Sequence, residues 1–355
     1  MYLNVAPAAP LADTTPPAPS VQDSLAALFA GRALTQDEAE SLFAELVEGR
    51  LDEPTIAALL IALKLKGETS DELIGAARAL RAADAPFDRP DYVFADSCGT
   101  GGDGASTLNL STAVAFVAAA AGLPVAKHGN RSVTSRCGSA DVLEELGVKL
   151  DVPAAVSRGA LDEIGICFLF APAYHPGLRH AGPVRRALKV RTVMNVLGPC
   201  LNPAEPPVQL LGVAEERLLE PVAETLRALG VERAMVVHGG GLDEVALHAE
   251  TQAVRLVAGE LQRLSFTPGD AGLGVAPVEV LRGGGPAENA ERLKALLMGY
   301  GASAETRAVA LNAGALFLTA GMAETLREGT ELALQTLGSG RAYKKLSRLV
   351  EVTND

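Results

Sequence analysis

The sequence has no uninterrupted run of about 18 apolar residues, which argues against a membrane-spanning helix. Its N-terminus lacks a basic segment followed by an apolar one, so we expect no secretory signal. Cysteine is scarce, and Cys98, Cys137, Cys167 and Cys200 form no C-x-x-C pair. This spacing favours buried thiols in a reducing compartment over a metal site. We therefore expect a cytoplasmic protein that does not enter a membrane.

Positive charge is also in deficit, since the net charge is −12 and the isoelectric point is about 5.0. Non-specific binding to nucleic acid depends on Lys and Arg side chains that neutralise phosphates, so this balance argues against a nucleic-acid partner. An acidic chain can still bind a small phosphorylated ligand through a local basic cluster. The 355 residues, 48% of them hydrophobic, suffice for one large domain or two ordinary ones.

The N-terminal part of the sequence predicts a small helical unit. Residues 1–20 are rich in Pro, Ala and Thr without periodicity, which predicts a disordered tail. Capping boxes at Thr35–Glu38 and Thr69–Glu72, with Asp52 as a further cap between them, begin apolar stripes typical of amphipathic helices. We assign residues 21–88 to a small helical domain.

From Tyr92 the pattern changes to short apolar runs that alternate with helical segments. The strand candidates are 92–95 (YVFA), 124–127 (PVAK), 166–170 (ICFLF), 208–213 (VQLLGV) and 234–238 (AMVVH). This alternation is typical of an α/β core with a largely parallel sheet, and several helices follow from about Glu288. We therefore predict an α/β fold, with the small helical domain beside a large α/β domain, 89–350, that has a mainly parallel central sheet.

The first two strand candidates are separated by a glycine-rich segment, 96–112, which reads DSCGTGGDGASTLNLST. Gly99, Gly101 and Gly104 satisfy G-x-G-x-x-G between a strand and a helix, the context of a dinucleotide-binding loop. That interpretation is disfavoured because Asp103 would lie against the pyrophosphate and no acidic residue ends the next strand. A Walker loop is disfavoured because no Lys-Ser/Thr follows. The glycines still let backbone N–H groups approach an anion, so we predict an anion-binding loop; the alternative is a tight turn.

A second polar loop, 127–141 (KHGNRSVTSRCGSAD), follows the next strand candidate. Lys127, Arg131 and Arg136 place three positive charges in it, among several hydroxyl groups. Open α/β sheets bind ligands at the carboxyl ends of their strands, so the pattern predicts a second anion site that faces the first. The alternative is a solvated basic loop.

In combination these motifs resemble the anthranilate phosphoribosyltransferases. The resemblance is carried, in order, by GTGGD and NLST, KHGNRSVTS, GSADVLEELG, FLFAPAYHPGLRHAGPVRRAL, RTVMNVLGP, NPAEPPVQLLGV and VVHGGGLDE, and it covers about 21–350. It implies transfer of the 5-phosphoribosyl group of phosphoribosyl pyrophosphate (PRPP) to the amine of anthranilate, with release of pyrophosphate. That reaction is the second step of tryptophan biosynthesis from chorismate. The resemblance also implies two assisting Mg²⁺ ions, a homodimer, and a helical domain that part of 183–205 joins.

The resemblance further implies which residues form the site. The residues implied in PRPP binding are Gly99, Gly102, Asp103, Thr107, Asn109, Leu110, Ser111, Thr112, Lys127, His128, Gly129, Asn130, Arg131, Ser132, Val133, Thr134, Ser135 and Ser139. Those implied in anthranilate binding are Gly99, His128, Asn130, His175, Arg185 and Pro199. The implied metal ligands are Ser111, Asp243 and Glu244, and the implied catalytic residues are Lys127, Arg185, Asp243 and Glu244. Met194, Cys200 and Leu201 depart from the more usual family residues near the route of the aromatic substrate.

Several of these residues allow a second interpretation. Asp243 and Glu244 alone favour a solvated turn; within the resemblance they are expected to bind Mg²⁺, which takes one or two carboxylates beside substrate phosphates. Asp103 can accept hydrogen bonds from sugar hydroxyls or from metal-bound water, or it can order its own loop. Arg185 is expected to bind the carboxylate of anthranilate through its planar guanidinium. His175 is as compatible with a structural histidine as with a substrate contact.

Two other functions remain open from the sequence. One is a pyrimidine nucleoside phosphorylase, which would bind free phosphate and a nucleoside and would not need Asp243 and Glu244 for metal. The other is a paralogue of the same fold that binds nucleic acid, against which the acidic composition argues.

Overall fold

A computed structural model describes residues 20–132 and 136–355 of the chain. The predicted tail, 1–20, lies outside these ranges except for Ser20, whose side chain caps the first helix. The first four helices are α1 Val21–Phe29, α2 Gln36–Val47, α3 Glu53–Lys66 and α4 Ser70–Ala82.

The predicted helix starts are confirmed. Thr35 and Thr69 each accept a hydrogen bond from the backbone N–H three residues on, and Glu38 and Glu72 in turn accept one from the cap backbone. Asp52 accepts from the Thr55 N–H at 2.9 Å. These contacts satisfy N–H groups that a helix start leaves unpaired. Each joins residues only three positions apart, so the local sequence is enough to predict it.

The α/β part follows in chain order. Its elements are β1 Ala95–Gly99, α5 Leu110–Ala121, β2 Val125–Gly129, α6 Ser139–Glu145, α7 Ala154–Ile164, β3 Ile166–Phe170, α8 Ala171–Tyr174, α9 Gly182–Leu188, α10 Val193–Leu197, β4 Val208–Gly212, α11 Leu219–Ala228, β5 Arg233–Gly239, β6 Thr251–Val257, β7 Glu260–Phe266, α12 Pro286–Leu297, α13 Ser303–Ala320, α14 Leu326–Gly338 and α15 Arg341–Asn354. Within the two described ranges, none of these helices is long and apolar enough to cross a membrane.

The strands of the described chain form one seven-stranded sheet in the order β3-β2-β1-β4-β5-β6-β7. Neighbours from β3 to β5 are parallel, whereas β6 and β7 are antiparallel additions at one edge. The chain runs outward from β1 through β2 to β3 and later returns to the other side of β1 with β4. The order therefore reverses between β1 and β4, which is where open α/β sheets leave a ligand-binding crevice. The predicted mainly parallel sheet is confirmed.

The first strand is displaced from its predicted position. The apolar run 92–95 was expected to form it, but β1 begins at Ala95 and continues through the polar Asp96 and Ser97. Both polar residues are buried, and the Asn202 side chain donates to Asp96 Oδ2 at 2.9 Å. Because the partner lies 106 positions away, a local pattern could not reveal that a polar strand is satisfied in the core.

The hairpin of β6 and β7 was also missed. Its two-residue turn, Ala258–Gly259, has positive φ at both residues (51° and 78°), as a type I′ turn requires. The signal was present in the alternating sequence on either side of this Ala-Gly pair.

Two apolar cores cover the two faces of the sheet. Adjacent residues of β4 belong to different cores: Leu210 packs with the core that contains α5 and α13, and Leu211 with the core that contains α1–α4 and α11. The second core also takes in Val184, Val193 and Leu197. The division into domains at 21–88 and 89–350, with part of 183–205 joining the first, remains a prediction.

Candidate active site

The carboxyl ends of the central strands open onto a cavity of about 310 Å³. Every predicted site residue within the described ranges lines it: Gly99, Gly102, Asp103, Thr107, Asn109, Leu110, Ser111, Thr112, Lys127, His128, Gly129, Asn130, Arg131, Ser132, Ser139, His175, Arg185, Pro199, Asp243 and Glu244. Val133, Thr134 and Ser135, predicted to contact PRPP, lie outside the described residues. The cavity thus joins distant parts of the chain: Gly101 and Asp243 are in contact there although they lie 142 positions apart.

The glycine loop after β1 is shaped by backbone conformation. Gly101, Gly102 and Gly104 have φ of 68°, 74° and 81°, a region that glycine occupies without steric cost. Asp103 Oδ1 accepts a hydrogen bond from the Ala105 N–H at 3.0 Å, so the carboxylate orders its own loop. Ordering of the loop is therefore the one of the three roles considered for Asp103 that needs no ligand.

β1 and β4 each end in a glycine because the segment that contains Asp243 passes close to both strand ends. Gly99 and Gly212 are register partners on β1 and β4. A Cβ on Gly99 would lie 2.2 Å from Asp243 Oδ2, and one on Gly212 would lie 1.6 Å from the Asp243 carbonyl oxygen. The Gly101 N–H donates to Asp243 Oδ2 at 2.6 Å, which joins the glycine loop to the segment after β5.

The start of α5 presents backbone donors to the cavity. Asn109 is the residue before the helix, and its side chain does not cap it; instead it donates to the Cys137 carbonyl oxygen at 3.2 Å. N–H groups at a helix start, with the positive end of the helix dipole, favour an anion, and here the Ser111 N–H donates to the Glu244 carboxylate. Lys127 Nζ lies beside them, donating to Ser97 O at 2.7 Å and to Ser111 Oγ at 3.3 Å.

In the second loop, acidic side chains bind backbone N–H groups and one of the three predicted positive charges. Asp141 Oδ2 accepts from the N–H groups of Ser132 (3.0 Å) and Gly138 (2.8 Å), on either side of the residues not described. Arg131 pairs with Glu144 at 2.6 Å, and Arg136 is exposed and does not line the cavity. Lys127 is therefore the buried cation of this loop that the structure brings to the glycine loop.

Carboxylates gather where the glycine loop meets the segment after β5. Burial, followed by repulsion from Asp103, raises the pKa of Asp243 to about 7. Burial, followed by repulsion from Asp243, raises the pKa of Glu244 well above its ordinary value, with Lys127 opposing the rise. Such a cluster of oxygen ligands is suited to a hard divalent cation, whose charge would remove the repulsion.

This arrangement leaves part of the coordination of a metal to other ligands. Among residues 20–132 and 136–355, no group of three or more His, Cys, Asp or Glu side chains is placed to hold a metal by itself. Mg²⁺ ordinarily keeps waters and binds one or two carboxylates together with substrate phosphates. Asp243 and Glu244 fit that pattern.

Arg185, in α9, lines the same cavity. Burial lowers the pKa of its guanidinium. No hydrogen bond or ion pair joins this guanidinium to another residue within the part of the chain that the structure describes. A desolvated cation with unused donors in a cavity wall is suited to a ligand carboxylate.

Two histidines stand beside this cavity in mutual contact. His128 lies in β2, His175 follows α8, and their Nε2 atoms are 3.0 Å apart. Burial, then the neighbouring His175 and Lys127, lower the pKa of His128 well below its ordinary value. Asp84 contacts His175 Nδ1 at 2.5 Å; burial raises the pKa of Asp84 and the histidine opposes the rise.

Sequence reasoning missed Asp84. It lies in the segment after α4, and only the fold brings it to His175, 91 positions away. The cavity wall also includes Cys98, which is only partly buried although it was expected to be buried, and Met194 and Leu201, two of the three departures noted from the family pattern.

Comparison with known proteins defines the class first. The model of the "Glycosyl transferase family, a/b domain" matches residues 91–343, and that of the "Glycosyl transferase family, helical bundle domain" matches residues 22–83. The chain is 62% identical over 329 residues to the anthranilate phosphoribosyltransferase of Sorangium cellulosum, covering 93% of this chain and 94% of that protein.

Two solved structures support the same family. The anthranilate phosphoribosyltransferase of Thermus thermophilus is 44% identical with a TM-score of 0.88, covering 94% of this chain and all of that one. The Saccharomyces cerevisiae enzyme in complex with PRPP and Mg is 25% identical with a TM-score of 0.84, covering 94% of this chain and 98% of that one. The chain belongs to the anthranilate phosphoribosyltransferase family.

Proposed function

We propose that the protein transfers the 5-phosphoribosyl group of PRPP to the amine of anthranilate and releases pyrophosphate, the second step of tryptophan biosynthesis from chorismate. One observation carries this proposal: a single cavity is lined both by an anion-binding glycine loop with two carboxylates and by a guanidinium that has no partner among the described residues. The first set suits a pyrophosphate with its metal, and the second suits an aromatic acid. Neither nucleoside phosphorolysis nor nucleic-acid binding accounts for both.

The PRPP side of the cavity acts by stabilising charge. As the bond from ribose C1 to the pyrophosphate oxygen breaks, negative charge grows on the leaving group. The Lys127 ammonium and the backbone at the start of α5 line the cavity and would stabilise this charge. The contacts proposed for PRPP are those predicted from the two loops, including Val133, Thr134 and Ser135.

Asp243 and Glu244, with the Ser111 hydroxyl, are the residues that would hold magnesium. When bound, the metal neutralises charge on the pyrophosphate and so favours its departure. We propose two ions, because two adjacent carboxylates line the cavity and a pyrophosphate offers oxygens to both.

The anthranilate side acts by positioning. The Arg185 guanidinium binds the carboxylate, and Asn130, His128, His175 and Pro199 form the walls around the ring. The aromatic amine is a ready nucleophile, so holding it against ribose C1 supplies much of the rate without a covalent intermediate.

We further propose a homodimer located in the cytoplasm. Large apolar side chains on the first helices are left exposed, Phe29 by 65% and Leu65 by 81%, which suits an interface between copies. The four cysteines are free thiols, which suits a reducing compartment.

The direct test is the loss of anthranilate fluorescence on mixing the protein with PRPP, Mg²⁺ and anthranilate. We expect loss that needs all three components and stops when the metal is chelated. No loss at any concentration would contradict the proposal. Phosphorolysis of thymidine or uridine without Mg²⁺ would instead establish the phosphorylase alternative.

A further inference from the structure

Asp84, His175 and His128 form a continuous hydrogen-bonded chain that ends at the cavity. Asp84 Oδ1 lies 2.5 Å from His175 Nδ1, and His175 Nε2 lies 3.0 Å from His128 Nε2. Both histidines are buried, His175 with 5% and His128 with 7% of the residue surface exposed, and the Asp84 side chain is 11% exposed. Three segments meet here: the connection after α4, the end of α8, and β2.

The Asp84 carboxylate determines which nitrogens of the two histidine rings carry hydrogen. A carboxylate only accepts, so a neutral His175 places its hydrogen on Nδ1 and leaves Nε2 bare. A bare His175 Nε2 can only accept, so His128 must donate from its own Nε2. The Nδ1 of His128 is then the nitrogen without hydrogen, and it makes no hydrogen bond to any residue of 20–132 and 136–355.

Without an acceptor at Asp84 the opposite arrangement becomes available. His175 could then hold its hydrogen on Nε2 and donate to His128 Nε2, which would move the His128 hydrogen to Nδ1. The ring would then face the cavity as a donor. Asp84 therefore selects between an accepting and a donating His128, although it does not itself line the cavity.

The reaction calls for an acceptor at this place. As the C1–N bond forms and the bond from C1 to the pyrophosphate oxygen breaks, the former amine nitrogen becomes positively charged and must lose one proton. Resting on the proposed function, we propose that Asp84 is a positioning residue that, through His175, holds His128 with a bare Nδ1 to accept this proton. The resulting imidazolium is stabilised by the Asp84 carboxylate, and its proton passes to water before the next cycle.

The first test measures the chemical step. With enzyme in excess over PRPP and with saturating anthranilate, we expect Asp84→Asn to lower the single-turnover rate by about tenfold to a hundredfold, within the range of general base catalysis. Both KM values should stay within about twofold, because Asp84 does not line the cavity. Asp84→Glu should recover much of the rate, and Asp84→Ala provides a second variant that leaves His175 without a fixed acceptor.

The matched control is Asp88→Asn. It removes the same charge from the same connecting segment, but its side chain is 88% exposed and its recorded partner is Arg158 at 3.9 Å. It should keep the wild-type rate. Single-turnover rates that are unchanged in both Asp84→Asn and Asp84→Ala would overturn the proposal.

The double variant separates positioning from a general structural effect. Because Asp84 acts through His128, adding Asp84→Asn to His128→Gln should cost less than about a further twofold in rate. If the loss from Asp84→Asn is the same factor in both backgrounds, Asp84 acts independently of His128 and the proposal is wrong.

A readout without turnover distinguishes failure of this inference from failure of the proposed function. Nitrogen-15 chemical shifts of the His128 ring report which nitrogen carries hydrogen. We expect hydrogen on Nε2 in the wild type and a shift toward Nδ1 in Asp84→Ala, which leaves His175 without an acceptor. The same tautomer in both proteins would overturn the inference, whereas absence of transfer by the wild type would overturn the proposed function alone.

Discussion

Arg185 is a residue whose surroundings define its role more sharply than its position in the sequence. Burial lowers the pKa of its guanidinium, and within the described chain no carboxylate offsets that burial. Pairing with a ligand carboxylate would offset the free-energy cost of burying this guanidinium, and would therefore favour binding of the ligand.

We expect Arg185→Ala to raise the KM for anthranilate by about tenfold to a hundredfold, the range of a lost charge-assisted hydrogen bond. The KM for PRPP should change by less than about twofold, because Arg185 serves the other substrate. Steady-state kinetics with each substrate varied in turn measure both values. Arg186→Ala, an exposed neighbour on the same helix, is the control, and equal effects of Arg185→Ala on both substrates would contradict the assignment.

Gly99 shows a second residue-scale constraint, in which the absence of a side chain is what matters. In Gly99→Ala the new Cβ would meet Asp243 Oδ2 at 2.2 Å. We expect a loss of about 1–3 kcal/mol in unfolding free energy from overpacking, together with weaker PRPP binding in the presence of Mg²⁺.

Denaturant unfolding and calorimetric titration with PRPP measure these effects. Gly159→Ala, in α7, meets nothing within 4 Å and should be neutral or stabilising. Similar losses in both variants would mean that the contact with Asp243 is not the cause.

At the scale of elements, the second loop depends on the start of α6. Burial raises the pKa of Asp141, but the N–H groups of Ser132 and Gly138 and the Arg131 guanidinium together outweigh it, so the net pKa lies below its ordinary value. A carboxyl whose pKa is lowered by folding contributes stability above its unfolded pKa and loses it as the pH falls through the folded value.

We therefore expect Asp141→Asn to lower the unfolding free energy at neutral pH by about 1–2 kcal/mol and to raise the KM for PRPP. The difference from the wild type should narrow as the pH falls below about 4, where the unfolded carboxyl takes up its proton. Thermal unfolding across this range measures it. Glu145→Gln, an exposed acid at the other end of α6, should show no such trend, and a constant gap for Asp141→Asn would refute the argument.

The elements also differ in how far local sequence predicts them. The run 166–170 became β3 residue for residue, and α5 ended before Gly122, because apolar runs and glycine ends act locally. β1 was misplaced because its polar residues are satisfied by Asn202, far along the chain. The hairpin of β6 and β7 was missed although its turn carried a local signal.

At the scale of the whole molecule, exposed apolar side chains on the helical unit support the proposed homodimer. We expect Leu65→Asp to convert the protein to monomers, because a buried charge would face an apolar partner surface. Light scattering after size-exclusion chromatography measures the mass. Tyr300→Asp alters a side chain of matching exposure, 83%, after α12, and should leave the mass unchanged. A dimer that survives Leu65→Asp would place the interface elsewhere.

The amino-acid sequence by itself determined the helix caps, the alternation of strands and helices, and the two loops with their glycines, hydroxyls and charges. These features depend on contacts within a few positions, so a linear pattern contains them. Only the tertiary structure decided which charges are paired. Arg131 pairs with Glu144, the Arg185 guanidinium has no partner among the described residues, and Asp84 reaches His128 through His175. Those outcomes depend on groups that the parallel sheet brings together from distant segments, and burial then determines the pKa and hydrogen-bonding role of each.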